Sequence, residues 1–201
     1  KISEWMSHRH YRRGHHSSGT VGTFGACASA AKLLGLTGDR LAHAFGIAAS
    51  LAAGIRANFG TMTKPLHVGR AAENGVTAAL LAARGFTADP AVLDGQWGFF
   101  AVMGEGFDPS KPSQGFGRTF TIVDPGVSIK PYPSGILTHQ SMDAMLKLVL
   151  DNDLKPGDVA AIRFYAGKNI LEPIRYPLAI NHLQAKFSMQ ALLSMMVLKR
   201  R

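Results

Sequence analysis

Residues 61–72 read Thr-Met-Thr-Lys-Pro-Leu-His-Val-Gly-Arg-Ala-Ala, a polar break that restarts at once as a helical pattern. Pro65 is predicted at the first helical position, where its missing N–H has no partner to lose and its fixed φ suits helix entry. The residue before a proline is pushed out of the helical region, so Lys64 is expected to be extended, beside the unpaired N–H groups of the next helix. A cation on the positive end of a helix is an odd local choice. It makes sense when an anion sits there, held by backbone donors and an ammonium together; the plain alternative is a solvated loop lysine.

Working outward, the apolar positions Leu66, Ala72, Val76, Ala79, Leu80 and Ala83 carry a helix from Pro65 to about Arg84, with Gly85 in the capping position. Before the break, Leu41, Ala44, Phe45, Ala48, Leu51 and Ile55 predict a second helix, opened by Thr37-Gly38-Asp39. A third spans Gly19 to Leu36 through Val21, Phe24, Ala28 and Ala31. Their side chains are small, so the helices can pack closely on several sides, and short connections favour antiparallel neighbours. Ser17-Ser18-Gly19-Thr20 has the composition of a helix start, with His16 just ahead of it.

After a short helix expected near Ala91–Leu93, the Gly- and Pro-rich run at 104–115 marks a boundary. Beyond it the texture changes. Strands are predicted at 119–123 and 159–165 and a third, pairing or connecting, at 127–130, with helices over 136–150 and 187–199. The expected fold is mainly α: residues 1–117 as part of an all-helical domain, and residues 118–201 as a smaller α/β (α+β) domain without parallel βαβ repetition.

Composition narrows the function. At 201 residues and 46% hydrophobic the chain can bury a sizeable core. The single cysteine, Cys27, excludes an internal disulfide framework and favours a reducing compartment. With no run of about 18 apolar residues and no signal-peptide core, the expected location is cytoplasmic, away from any membrane. A net charge of +9 invites a nucleic-acid reading, but the basic residues gather at Arg9, Arg12, Arg13 and at Lys199, Arg200, Arg201 without a nucleic-acid module. His8, His10, His15 and His16 raise a metal site, yet carboxylate or thiolate partners at ligand spacing are missing, so no metal is expected.

Four motifs then coincide: 16–25 (His-Ser-Ser-Gly-Thr-Val-Gly-Thr-Phe-Gly), 63–72, 130–139 (Lys-Pro-Tyr-Pro-Ser-Gly-Ile-Leu-Thr-His) and 183–189 (Leu-Gln-Ala-Lys-Phe-Ser-Met). In this order, across the whole chain, they resemble the MmgE/PrpD family. The resemblance implies a helical domain followed by an α/β lid, a site in the cleft between them, no cofactor, and a homodimer in the full-length protein. It also implies a central fragment, with family segments expected before Lys1 and after the lid. Carried over by position, Lys64, His16 and His139 are the expected catalytic residues. Ser134, Gly135, Thr138, Arg70 and His67 are the expected substrate contacts, with His67, on the first turn of a buried helix, read sooner as structural and Arg70 equally readable as one half of a helix-face ion pair.

The residues themselves point the same way. His16, Lys64 and the Ser134/Thr138 pair each front a helix start, which is what a small polycarboxylate substrate needs. Loss of a proton next to a carboxylate calls for a base such as histidine and a cation to spread the charge. Lys64 is assigned to hold negative charge, and His16 to orient substrate or move a proton. Decarboxylating members of the family carry a histidine two residues after the proline of the third motif. This chain has Gly135 there, which counts against decarboxylation; the reaction expected of a lyase with this resemblance is dehydration of a 2-methylcitrate-like substrate. The alternatives are epimerisation of an amino or imino diacid, or an inactive truncated fragment.

Overall fold

A computed structural model describes residues 1–6, 9–108, 110 and 115–200; His8 and Arg201, both named above, lie outside that set. The chain divides into two compact units, Lys1–Asn58 with Thr63–Gly126, and Phe59–Met62 with Val127–Arg201. The elements are α1 (Ile2–Trp5), α2 (Arg9–Arg12), α3 (Ser17–Leu33), α4 (Gly38–Leu51), α5 (Thr63–Ala83), α6 (Phe99–Gly104), α7 (His139–Asp151), α8 (Lys168–Leu171), α9 (His182–Ala185) and α10 (Met189–Lys199). The chain is mainly α, as expected.

In the first unit α3, α4 and α5 pack on one another around Phe24, Cys27, Ala31, Ala44, Ile47, Ala48, Ala78, Ala79 and Ala82, all buried. Small residues set the spacing. A Cβ on Gly75 would lie 2.5 Å from the Thr23 carbonyl oxygen and 2.6 Å from the Cys27 nitrogen, so α5 rests directly on the backbone of α3. Aromatic rings close the end of this bundle: Phe24 meets Phe99 edge-on with centroids 4.7 Å apart, and Phe100 stacks on Phe107 at 5.0 Å. Both α3 and α5 end in a Schellman turn. Leu36 N–H donates to the Ala31 carbonyl and Phe86 N–H to that of Leu81, with Gly35 and Gly85 at positive φ.

In the second unit α10 packs on α7, and Phe59, Ile174, Phe187, Met189 and Leu193 form its core. Ser188 caps α10 by accepting from the Ala191 N–H at 3.2 Å. Arg200 closes the other end, donating to the Leu154 carbonyl at 2.6 Å and to Asp153 at 2.7 Å.

Several expectations are corrected. α5 begins at Thr63, so Lys64 is helical and Pro65 is its third residue rather than its first. A proline is tolerated there because the first four N–H groups of a helix have no intrahelical partner in any case. Ile55 lies outside α4, and the helix expected near 91–93 is a series of turns, with α6 forming at 99–104 instead. None of the three expected strands forms among the described residues; the regular pairing there is limited to two isolated bridges. The β-branched run at 119–130 has the propensity but no neighbour: Ile122 is 72% and Ile129 91% exposed. Strand preference is mostly packing against a paired neighbour, so without one it decides nothing.

Candidate active site

The local fold brings three predicted residues together. His16 is the N-cap of α3, and its N–H donates to the Gly54 carbonyl at 3.0 Å. Beside it Arg56 N–H donates to the Gly14 carbonyl at 2.7 Å, so the segment after α4 is laced to the segment before α3. α5 supplies Lys64 from its first turn and His67 from just beyond. Two glycines allow the approach. A Cβ on Gly19 would lie 2.5 Å from the Ala53 carbonyl oxygen and 3.2 Å from the His67 Cβ; one on Gly54 would press on His16 and His67 at 3.3 and 3.5 Å.

The result is a histidine pair, with His16 Nδ1 and His67 Nδ1 3.0 Å apart. His16 is only 6% exposed. Burial, then the Lys64 ammonium, then His67 push its pKa down to about 4, so it is neutral near pH 7. One proton lies between the facing nitrogens, because two N–H groups cannot point at each other. Whichever ring donates it, the other accepts. If His16 donates, its Nε2 bears a lone pair and is a base; if His67 donates, His16 Nε2 carries the hydrogen and is a hydrogen-bond donor. The cluster is thus suited to proton transfer beside a fixed positive charge.

The second unit holds another predicted group. Thr138 is the N-cap of α7, though its hydroxyl does not cap the helix. It donates to the Gly135 carbonyl at 2.7 Å and accepts from Ser134, whose Oγ is 2.8 Å away. Gly135 is packed: a Cβ there would lie 3.1 Å from Ile174 Cδ1. His139 is 7% exposed, its ring edge-on to Tyr132, and its Nε2 is buried without a hydrogen-bond partner among the described residues. An orphaned ring nitrogen of this kind calls for a ligand or a water.

The predicted residues therefore fall in two groups, one in each unit: His16, Lys64 and His67; and Ser134, Gly135, Thr138 and His139. Arg70 belongs to neither cluster. It is exposed on α5 and pairs with Glu73 at 2.6 Å. Sequence reasoning missed His10 and Thr20, which are buried behind His16 with His10 Nε2 2.8 Å from Thr20 Oγ1. No spacing rule links a histidine to a threonine ten residues on, so only the polar residues inside an apolar pattern hinted at it.

This mainly α chain brings a buried histidine, a second histidine and a lysine together where two helices begin, groups of the kind that can move a proton and bind an anion. The MmgE/PrpD N-terminal domain matches residues 1–112, and the chain belongs to the MmgE/PrpD family. It is 32% identical to the cis-aconitate decarboxylase of Homo sapiens over 187 residues, covering 91% of this chain and 38% of that protein. With the cis-aconitate decarboxylase of Mus musculus it shares 36% over 129 residues, 64% of this chain and 26% of that one. With that of Aspergillus terreus it shares 35% over 146 residues, 67% of this chain and 29% of that one. The chain thus spans well under half the length of these relatives.

Proposed function

We propose that this chain carries the central part of a cofactor-independent lyase that removes a proton next to a carboxylate of a small polycarboxylate. The observation that supports it most is the His16–His67 contact with the Lys64 ammonium close enough to depress His16. Lys64 holds one carboxylate and takes up the negative charge that develops on it. His16, kept neutral with its Nδ1–H turned to His67, accepts the proton at Nε2 and gives it back from the imidazolium so formed, and the hydrogen bond to His67 holds that tautomer. On this reading residues 1–117 belong to the helical domain and 118–201 to a lid. The lid contributes Ser134, Thr138 and His139, and the full-length protein is a homodimer.

Loss of water from a 2-methylcitrate-like substrate is the reaction this reading favours. A second reading, decarboxylation of cis-aconitate, has the names of the relatives in its favour. Position 135 separates the two. Decarboxylating members are expected to carry a histidine there, whereas here it is a glycine whose side-chain direction is occupied by Ile174 and Phe187. The test is to offer the full-length protein 2-methylcitrate and cis-aconitate separately, following loss of water by the ultraviolet absorbance of the new conjugated double bond and loss of carboxylate by release of carbon dioxide. Dehydration supports the first reading, carbon dioxide release the second, and neither, across a panel of tricarboxylates and amino diacids, rejects both.

A further inference from the structure

Behind His16 lies a second buried histidine that the proposed chemistry does not use. His10 is 4% exposed, and both ring nitrogens are engaged: Nδ1 lies 2.8 Å from the Met103 carbonyl oxygen and Nε2 2.8 Å from Thr20 Oγ1. A carbonyl only accepts, so Nδ1 carries the hydrogen. Burial, the largest influence on its pKa, keeps His10 neutral; the Met103 hydrogen bond opposes this and the charge of His15 adds to it. Nε2 is then left with a lone pair, and it accepts a hydrogen bond from the Thr20 hydroxyl. The tautomer and the threonine rotamer fix each other.

The other contacts of this pair lead to His16. With its hydroxyl proton directed to His10, Thr20 holds His16 through its backbone: Thr20 N–H donates to the His16 carbonyl at 3.1 Å, beside Gly19 N–H at 2.8 Å. The His10 ring also stacks on His15, the residue just before His16, with centroids 4.6 Å apart and planes 8° from parallel. One imidazole therefore grips the chain on both sides of His16 and ties it to the end of α6. A purely packing role at this buried position would be filled at lower cost by leucine or phenylalanine, which bring no polar atoms to desolvate.

We propose that His10, acting through Thr20 and His15, is a positioning residue that aims the His16 imidazole at His67. The inference rests on the reading of His16 as a substrate-facing group. A pair that shares one proton across 3.0 Å tolerates displacement of only a few tenths of an ångström, so a loosened turn separates the rings before it unfolds the helix.

The experiment is 15N-histidine NMR of the protein and four variants. Thr20→Val keeps the volume of a fully buried side chain and removes its hydroxyl; Thr20→Ser restores the hydroxyl. Thr23→Val is the control. Thr23 is equally buried one turn on, and its hydroxyl donates to the Gly19 carbonyl at 2.9 Å without touching His10. In Thr20→Val the His16 ring nitrogens are expected to change tautomer population and the titration midpoint of His16 to rise, with kcat falling about tenfold or more while KM changes little. Thr20→Ser should return the wild-type signature, and Thr23→Val should leave it in place while lowering stability. Should Thr20→Val not fold, Thr20→Ala reads the same question. Wild-type His16 resonances in the variants lacking the Thr20 hydroxyl, or an equal change in Thr23→Val, would overturn the proposal. Lack of turnover by the wild-type protein would overturn the lyase reading instead, because the His16 resonances report geometry whether or not a substrate is known.

Discussion

His16 and His67 stand at the beginnings of two different helices with their Nδ1 atoms 3.0 Å apart, and the ammonium that depresses His16 comes from the same helix as His67. The position of α5 on α3 therefore sets the proton sharing and both causes that hold His16 neutral, its burial first and the Lys64 charge second. A change to either helix contact is a change to the site.

The first prediction concerns that charge. Lys64→Ala removes a cation that opposes protonation of His16, so the His16 midpoint should rise from about 4 toward its ordinary value. Turnover by the full-length protein should fall by about 10²–10³-fold, the usual cost of one preorganised charge-stabilising donor. NMR titration reads the first effect and kcat/KM the second. A His16 midpoint that does not move would show that the ammonium is not where the site needs it.

The second concerns pH. His16 has a folded pKa near 4 against about 6.5 unfolded, and His10 is lowered in the same direction. Between these values the unfolded chain binds more protons than the folded one, so stability rises with pH across that window. Stability is full above about 6.5 and is lost as pH falls through 4, by a few kcal/mol at most from His16. Both tryptophans, Trp5 and Trp97, lie in the first unit, so denaturant unfolding followed by their fluorescence at a series of pH values measures it. His16→Gln should flatten the slope; an equally steep slope in that variant removes His16 as its cause.

A paired glycine experiment tests the helix contact. Helix propensity alone predicts that Gly→Ala stabilises by about 0.5–1 kcal/mol. Gly25, in the exposed middle of α3 with nothing near its missing Cβ, should show that gain. At Gly75 the added carbon would meet backbone of α3 at 2.5 Å, and overpacking of roughly 1–3 kcal/mol or more should outweigh propensity. Gly75→Ala should also separate His16 from His67 and raise the His16 midpoint. Opposite signs in denaturant midpoints are expected; a stabilised Gly75→Ala would mean the helices are not packed as described.

How legible this was in the sequence depended on the range of the interaction. The helices of the first unit were readable because their apolar period, the Gly85 cap and their small residues act within a turn or two, whereas Gly35, expected inside the first of them, proved to be its cap. The prolines misled at 65, since a proline is compatible with any of the first helical positions and cannot choose among them. Thr119 to Ile129 read as strand because branched side chains favour it, yet pairing depends on a partner that local sequence does not name. His16 was visible as the residue in front of a helix, Lys64 as a cation near a helix start though not as part of its first turn, and Arg70 as an ion-pair candidate. The His16–His67 contact and the His10–Thr20 lock were not, because they depend on how closely Gly19, Gly54 and Gly75 let segments far apart in the chain approach.

The last prediction tests the second predicted group by itself. Thr138 is fully buried, and its hydroxyl both donates to the Gly135 carbonyl and accepts from Ser134. In Thr138→Val the shape is kept but Ser134 Oγ, itself buried, is left with only the weak acceptor Met142 Sδ at 3.6 Å, which costs about 1 kcal/mol or more. The Gly135 carbonyl keeps its bond from the Thr138 N–H at 2.9 Å, so the turn should loosen rather than unfold. Amide hydrogen exchange at the start of α7 should speed up roughly tenfold or more, while exchange in α3 and α5 stays unchanged. Thr138→Ser, which retains the hydroxyl, should exchange like the wild type. If Thr138→Val exchanges no faster, the hydroxyl pair does not hold the turn that presents His139, and that group loses its structural basis.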